Sequence, residues 1–219
     1  MMGFISFPAA AHNGHTIVAA ILATHPHISI ANSYSKSLQS QEIIKLAKTE
    51  RWDARYSFEI PGQHVEKIDI KMVGFSGSDP DNVEKLPHYP IFILRNPFDV
   101  IGSRYTKFKN RQKNPLNYAS EDYFIRMKEA FQNNFFTVIH EEFIQNPYKE
   151  LLQILNYLNL EAPSSQWVLD VCKYVDPVPF LSRQRTTWTS FEINRVFGFL
   201  NDYADFFQLD KTKYHETEL

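Results

Sequence analysis

The sequence predicts an α/β protein of three layers, in which a mostly parallel sheet is flanked by helices on both faces. Three short segments are apolar almost throughout, as strands buried on both faces of a parallel sheet are. They span Met2–Pro8, Pro90–Leu94 and Phe135–Ile139. Helical spacing follows each segment, and strands that alternate with helices are typical of such sheets. The 219 residues contain no clean linker, so we expect one domain over 1–219.

Prolines mark the ends of the amino-terminal elements. The first strand stops at Pro8, and a loop of small residues leads into a helix over 14–24 with apolar residues at helical spacing. That helix closes before Pro26, because the residue preceding a proline disfavours the helical region. Residues 34–50 also have helical spacing, whereas 51–66 give no clear pattern.

The remaining elements are predicted from apolar runs and helix-start signals. A strand covers 68–75, with Gly74 and Gly77 in the turn behind it. Asn-Pro pairs at Asn96 and Asn146 mark two helix starts, because asparagine caps a helix and proline fits its first position. Two more helices are expected over 164–174 and 190–207.

Charge and cysteine content exclude several classes of function. The 23 basic and 25 acidic residues give a net charge of −2, which predicts no nucleic-acid partner. No apolar run reaches the roughly 18 residues of a membrane span, so we expect no membrane association. The single cysteine, Cys172, excludes a disulfide framework and a multi-cysteine metal site, and the histidines lack ligand spacing. We therefore expect a cytoplasmic protein.

The loop after the first strand has the layout of a phosphate cradle. Four residues occupy the turn into the first helix: Asn13, Gly14, His15 and Thr16. The first N–H groups of a helix have no partner within it, and the helix dipole is positive there. The nucleotide-triphosphatase pattern GxxxxGK[ST] is absent, since it needs glycine at Ala9 and lysine at His15. From these residues alone, an ordinary strand-to-helix turn is an equal alternative.

The strand over 90–94 delivers an arginine to the same rim. Arg95 follows the strand directly, and Ser103 comes eight residues later on the predicted helix. A guanidinium offers a planar fork of donors suited to phosphate, and a hydroxyl is a compatible second donor. Nucleotide triphosphatases instead hold Mg²⁺ with an aspartate at such a position. The residues leave open a purely structural surface pair between Arg95 and Asp99.

This stretch resembles the cytosolic and bacterial sulfotransferases, in which a strand ends in R-[DN]-P-x-D-V-x-x-S-x-[YF]. Seven positions match at the family's spacing: Arg95, Asn96, Pro97, Asp99, Val100, Ser103 and Tyr105. The resemblance implies a P-loop-like nucleotide-binding fold and an enzyme that uses 3′-phosphoadenosine 5′-phosphosulfate (PAPS) as sulfuryl donor. It also implies that Arg95 and Ser103 hold the 3′-phosphate of the donor.

The resemblance extends along nearly the whole chain in the family's order. Residues 7–25 are similar to the loop for the 5′-phosphosulfate, and 182–196 to a carboxyl-terminal basic segment. Residues 138–160 are similar to a strand, an acidic pair and a helix, which makes Glu141 and Glu142 markers of the fold. The implied ligands of the 5′-phosphosulfate are His12 and the amides of Asn13, Gly14, His15 and Thr16. Further phosphate ligands are Arg183 and Arg185, with a solvated basic loop as the equal alternative.

The chain departs from the family at two reacting groups. His12 stands where the family has a catalytic lysine or arginine, and a histidine carries that charge only when bound phosphates stabilise it. No histidine or glutamate follows the 68–75 strand to act as general base. Asp79 is the nearest titratable candidate, and a role in forming the turn is its alternative.

The sequence therefore predicts a PAPS-dependent sulfotransferase that needs no metal and acts on a hydroxyl or amine of a small-molecule or carbohydrate acceptor. Aromatic residues such as Tyr123 suit a sugar or phenol platform, and Trp52 or Trp188 is either an adenine platform or core. The alternatives are a catalytically weakened nucleotide-binding relative and, less favoured, a small P-loop kinase.

Overall fold

A computed structural model describes residues 2–8, 13–31, 69–75, 87–108, 113–175 and 188–201. Several sequence-based predictions lie outside these residues. They are the helix over 34–50, Trp52, Gly77 and the candidate site residues His12, Asp79, Arg183 and Arg185.

The described part of the chain holds a sheet of five parallel strands in the order β2-β3-β1-β4-β5. Their bounds are Gly3–Ser6 (β1), Ile28–Ala31 (β2), Met72–Phe75 (β3), His88–Leu94 (β4) and Phe136–Ile139 (β5). The predicted parallel sheet is confirmed, but the sequence did not indicate β2. Gly74 lies within β3 and not in the turn behind it. A Cβ at Gly74 would lie 2.8 Å from the carbonyl oxygen of Ile5, so the close approach of β1 requires glycine.

The described part of the chain also holds seven helices. Their bounds are His15–Ala23 (α1), Pro97–Phe108 (α2), Pro115–Gln132 (α3), His140–Gln145 (α4), Pro147–Tyr157 (α5), Ser165–Cys172 (α6) and Ser190–Leu200 (α7). Both predicted Asn-Pro starts are confirmed. The side-chain oxygen of Asn96 accepts from the Phe98 N–H at 2.9 Å, and that of Asn146 from the Lys149 N–H at 3.3 Å.

The alternation of side chains along β4 shows the three layers. Ile91 and Ile93 pack in an apolar cluster with α1, α5 and α6, whereas Phe92 and Leu94 pack in a second cluster with α2, α3 and α7. Trp188 belongs to the second cluster, with its ring edge-on to Phe98, so its interpretation as a core residue is confirmed. Among the described residues, no helix combines the length and the apolar character that crossing a bilayer requires.

Candidate functional site

The carboxyl ends of three neighbouring strands meet at one edge of the sheet. β1 leads toward Gly14, β4 leads to Arg95, and β5 leads to His140. Because these strands are parallel, the residues that follow them leave the sheet on the same side. The pairing of Leu94 with Ile139 places Arg95 beside His140. This edge therefore brings together the two predicted phosphate-binding segments.

Gly14 forms the turn into α1 and has a left-handed backbone, with φ +97°. A Cβ there would lie 2.7 Å from Nε2 of His140 and closer still to Cδ2, so no other residue fits without displacing that ring. Gly14, His15 and Thr16 are only half-buried, whereas α1 is buried from Ile17 onward. The first turn of α1 therefore faces the rim, where its N–H groups are suited to an anion.

Asn13 ties this turn to the sheet. Its side chain is fully buried, and Nδ2 donates to the carbonyl oxygen of Ile93 at 2.9 Å. Oδ1 accepts from the backbone N–H of His15 at 3.2 Å and from its Nδ1 at 2.9 Å. Because an amide oxygen only accepts, the imidazole of His15 donates through Nδ1, which fixes its orientation. The side chain of Asn13 thus organises the loop.

Arg95 forms an ion pair on the way into α2. Its Nε lies 3.9 Å from Oδ2 of Asp99, and the two side chains are only 11% and 12% exposed. The Arg95–Asp99 pair exists, but it is largely buried and not at the surface, so its charges are less screened by water. Ser103, half-buried, lies one turn beyond Asp99 on the same face of α2.

Tyr123 of α3 supports Arg95 from behind. Its hydroxyl donates to the backbone carbonyl oxygen of Arg95, and its side chain is fully buried. Burial, reinforced by the Glu141 carboxylate, raises the pKa of Tyr123 well above its usual range, so the phenol stays protonated and keeps donating. The sequence-based interpretation of Tyr123 as an acceptor platform is therefore wrong, because the ring is enclosed by the core.

The two residues that follow β5 complete the edge. Oε1 of Glu141 accepts from the backbone N–H of Asn96 at 2.9 Å, and burial raises the pKa of this carboxyl. His140 is 4% exposed; burial and then the charge of Arg95 lower its pKa to about 3, so the ring is neutral at neutral pH. Sequence reasoning treated Glu141 as a marker of the fold and found no role for His140. The one signal was the position of His140 directly after a buried strand.

Solved structures share this architecture, whereas no protein-family model and no curated protein sequence matches the chain. The sulfotransferase domain of the Synechococcus PCC 7002 olefin synthase is 14% identical, with a TM-score of 0.56 over 95% of this chain and 94% of that one. A mouse sulfotransferase complexed with PAP is 14% identical, with a TM-score of 0.53 over 96% and 86%. Retinol dehydratase, in complex with androsterone and the inactive cofactor PAP, is 10% identical, with a TM-score of 0.51 over 94% and 81%.

The chain has the sulfotransferase fold. On that fold, the described candidates Asn13, Gly14, His15, Thr16 and Arg95 lie along one edge of the sheet, and Ser103 follows on α2. Within the described ranges of this sulfotransferase fold, no three His, Cys, Asp or Glu side chains gather as a metal site would require.

Proposed function

We propose that the protein is a PAPS-dependent sulfotransferase. The observation that carries this proposal is a largely buried arginine, Arg95, at the end of β4, on the edge where α1 begins at Gly14. A phosphotransferase that depends on Mg²⁺ needs a carboxylate there, whereas a donor with phosphates at the 3′ and 5′ positions of its ribose needs a cation. The likeness to sulfotransferase structures that hold PAP, adenosine 3′,5′-bisphosphate, supports this choice.

The donor groups along the edge fit PAPS. The backbone N–H groups of Gly14 and Thr16 and the hydroxyl of Thr16 would hold the 5′-phosphosulfate, while the His15 N–H is held by Asn13. The guanidinium of Arg95 and the hydroxyl of Ser103 would hold the 3′-phosphate, and Asp99 would keep the guanidinium in place. Arg183 and Arg185 are proposed as further ligands.

Bound PAPS supplies the sulfuryl group, whose bond to the 5′-phosphate oxygen breaks as a bond to the acceptor oxygen or nitrogen forms, and PAP is released. The residues of the chain contribute by orienting the donor and stabilising negative charge. We propose that His12 places positive charge near the 5′-phosphate and that Asp79 takes the proton of the acceptor. Retinol dehydratase structures hold androsterone or retinol, which supports a small-molecule acceptor here.

Calorimetric titration without metal tests the donor site. We expect PAP to bind about 10–150-fold more tightly than ADP, because a charge-assisted phosphate contact contributes about 1.5–3 kcal/mol. Arg95→Ala should erase that preference. Arg126→Ala, which removes an exposed arginine of α3, is the matched control and should retain it. If ADP binds as tightly as PAP, or if neither binds, the protein shares the fold and not the activity.

A further inference from the structure

Three segments lie at the carboxyl edge of the sheet: the loop after β1, the end of β4 with the turn that follows it, and the residues directly after β5. Each of them contacts the other two. Asn13 of the first loop donates to Ile93 of β4. The same loop contacts the start of α4, directly after β5, since Gly14 packs on the His140 ring. The turn after β4 contacts the start of α4 as well, because the backbone N–H of Asn96 donates to Glu141. Each pair of segments is therefore in direct contact, and the last two contacts come from adjacent residues, the His140–Glu141 pair.

The two members of this pair face different halves of the proposed donor site. His140 lies under Gly14, where the helix for the 5′-phosphosulfate begins. Glu141 holds the backbone of Asn96, next to Arg95, which would bind the 3′-phosphate. Its carboxylate also lies at the start of α2, where the helix dipole favours negative charge. A short rigid link between the two halves leaves little freedom in the distance between them.

His140 acts here by its shape. The ring is buried, and its edge meets the space in which a Cβ of residue 14 would stand. It therefore supports the left-handed turn of Gly14 from below. Glu141 acts by accepting the hydrogen bond of the Asn96 N–H, which a neutral amide in its place would also accept.

We propose that the His140–Glu141 pair sets the spacing between the two phosphate-binding segments, and so selects a nucleoside phosphorylated at both the 3′ and the 5′ positions. Both are positioning residues, His140 for the 5′ half and Glu141 for the 3′ half. This inference rests on the proposed function, since it takes the two segments to be the two ends of a PAPS site.

Titrations with adenosine 5′-monophosphate, adenosine 3′-monophosphate and PAP separate the two halves. We expect His140→Ala to weaken the binding of the 5′-monophosphate and of PAP about tenfold, a factor that corresponds to about 1.4 kcal/mol. The affinity for the 3′-monophosphate should stay unchanged. Glu141→Ala should weaken the binding of the 3′-monophosphate and of PAP and leave the affinity for the 5′-monophosphate unchanged. His140→Phe, which keeps a ring, and Glu141→Gln, which keeps an acceptor, should restore most of each affinity.

His25→Ala is the matched control, because His25 is also a buried histidine but lies before β2, at the opposite edge of the sheet. It should lower the melting temperature and leave all three affinities unchanged. The inference is overturned if either alanine variant weakens both monophosphates equally or neither, or if the conservative variants lose as much as alanine. Should His140→Ala not fold, the Glu141 pair of variants decides the same question. If the wild type does not prefer PAP to ADP, the proposed function itself fails.

Discussion

At the scale of single residues, both the backbone conformation and the packing of the site require glycine at Gly14. Its φ of +97° disfavours a side chain, and the His140 ring fills the place where a Cβ would stand. Gly198 offers the opposite case, because a Cβ on it would meet nothing within 4 Å. The two glycines therefore differ in both strain and space.

Alanine at these two positions should have opposite effects. We expect Gly14→Ala to lower the free energy of unfolding by about 1–3 kcal/mol and to abolish PAP binding, because strain and contact with His140 displace the turn. Gly198→Ala should raise it by about 0.5–1 kcal/mol, since Gly198 lies inside α7. Urea unfolding and PAP titration of both variants measure this. Unchanged PAP affinity in Gly14→Ala would remove the α1 turn from the site.

Some of the site could be predicted from sequence and some could not. Arg95, Ser103 and Gly14 stand in local patterns, a buried strand followed by a charged residue and a loop that opens a helix. Tyr123 and His140 act through partners distant in sequence: Tyr123 reaches the carbonyl of Arg95, and His140 reaches Gly14. Such contacts depend on which strands are neighbours, and a single sequence does not carry that information.

At the scale of elements, the predictions succeeded where a run was long or sharply capped. β4 and the starts of α2 and α5 had such signals. β2 is as short as β1, β3 and β5, but Ser29 interrupts its apolar run. α3 also begins with an Asn-Pro pair, at Asn114, but it buries alanine, tyrosine and methionine among charged residues, which weakens its apolar stripe. The contribution of α3 to the site, through Tyr123, was therefore missed.

One ion pair joins α2 to α3 and can be tested. Arg104 of α2 is 4% exposed and pairs with Asp122 of α3, with Tyr118 also beneath its guanidinium. We expect Asp122→Ala to cost about 2–3 kcal/mol in urea unfolding, because breaking a buried pair costs about 3–5 kcal/mol and Asp122 is partly exposed. Glu129→Ala breaks an exposed pair on the same helix and should cost less than about 1 kcal/mol. Equal losses would show that burial of Arg104 adds nothing to the pair.

At the scale of the whole molecule, the strand order decides where the chemistry lies. β1 is central, between β3 and β4, so its loop can touch the ends of β4 and β5. The class of the fold followed from the alternation of strands and helices, but the order did not, because the partners of β1 come from near residues 72 and 88. The edge that results is dry enough to shift the pKa values of His140, Glu141 and Tyr123.

Those shifts make the stability of the molecule depend on pH in a stated direction. The pKa of His140 is about 3 in the folded protein against 6.5 for an ordinary histidine, so the unfolded chain binds one more proton between these values. The contribution of His140 to the free energy of unfolding should be complete above pH 6.5. Below that pH the free energy of unfolding should fall, by about 2 kcal/mol at pH 5. The raised pKa of Glu141 acts in the opposite sense above its ordinary value, but it does so in the wild type and in His140→Phe alike. The difference between these two proteins across the window from pH 7 to 5 therefore reports His140. In urea unfolding across that window, His140→Phe should lose about 2 kcal/mol less than the wild type, because it has no proton to bind. If the plots of stability against pH are parallel for the two proteins, His140 is not held neutral under Gly14. Its ring would then not be buried against the turn, and another residue would have to support Gly14.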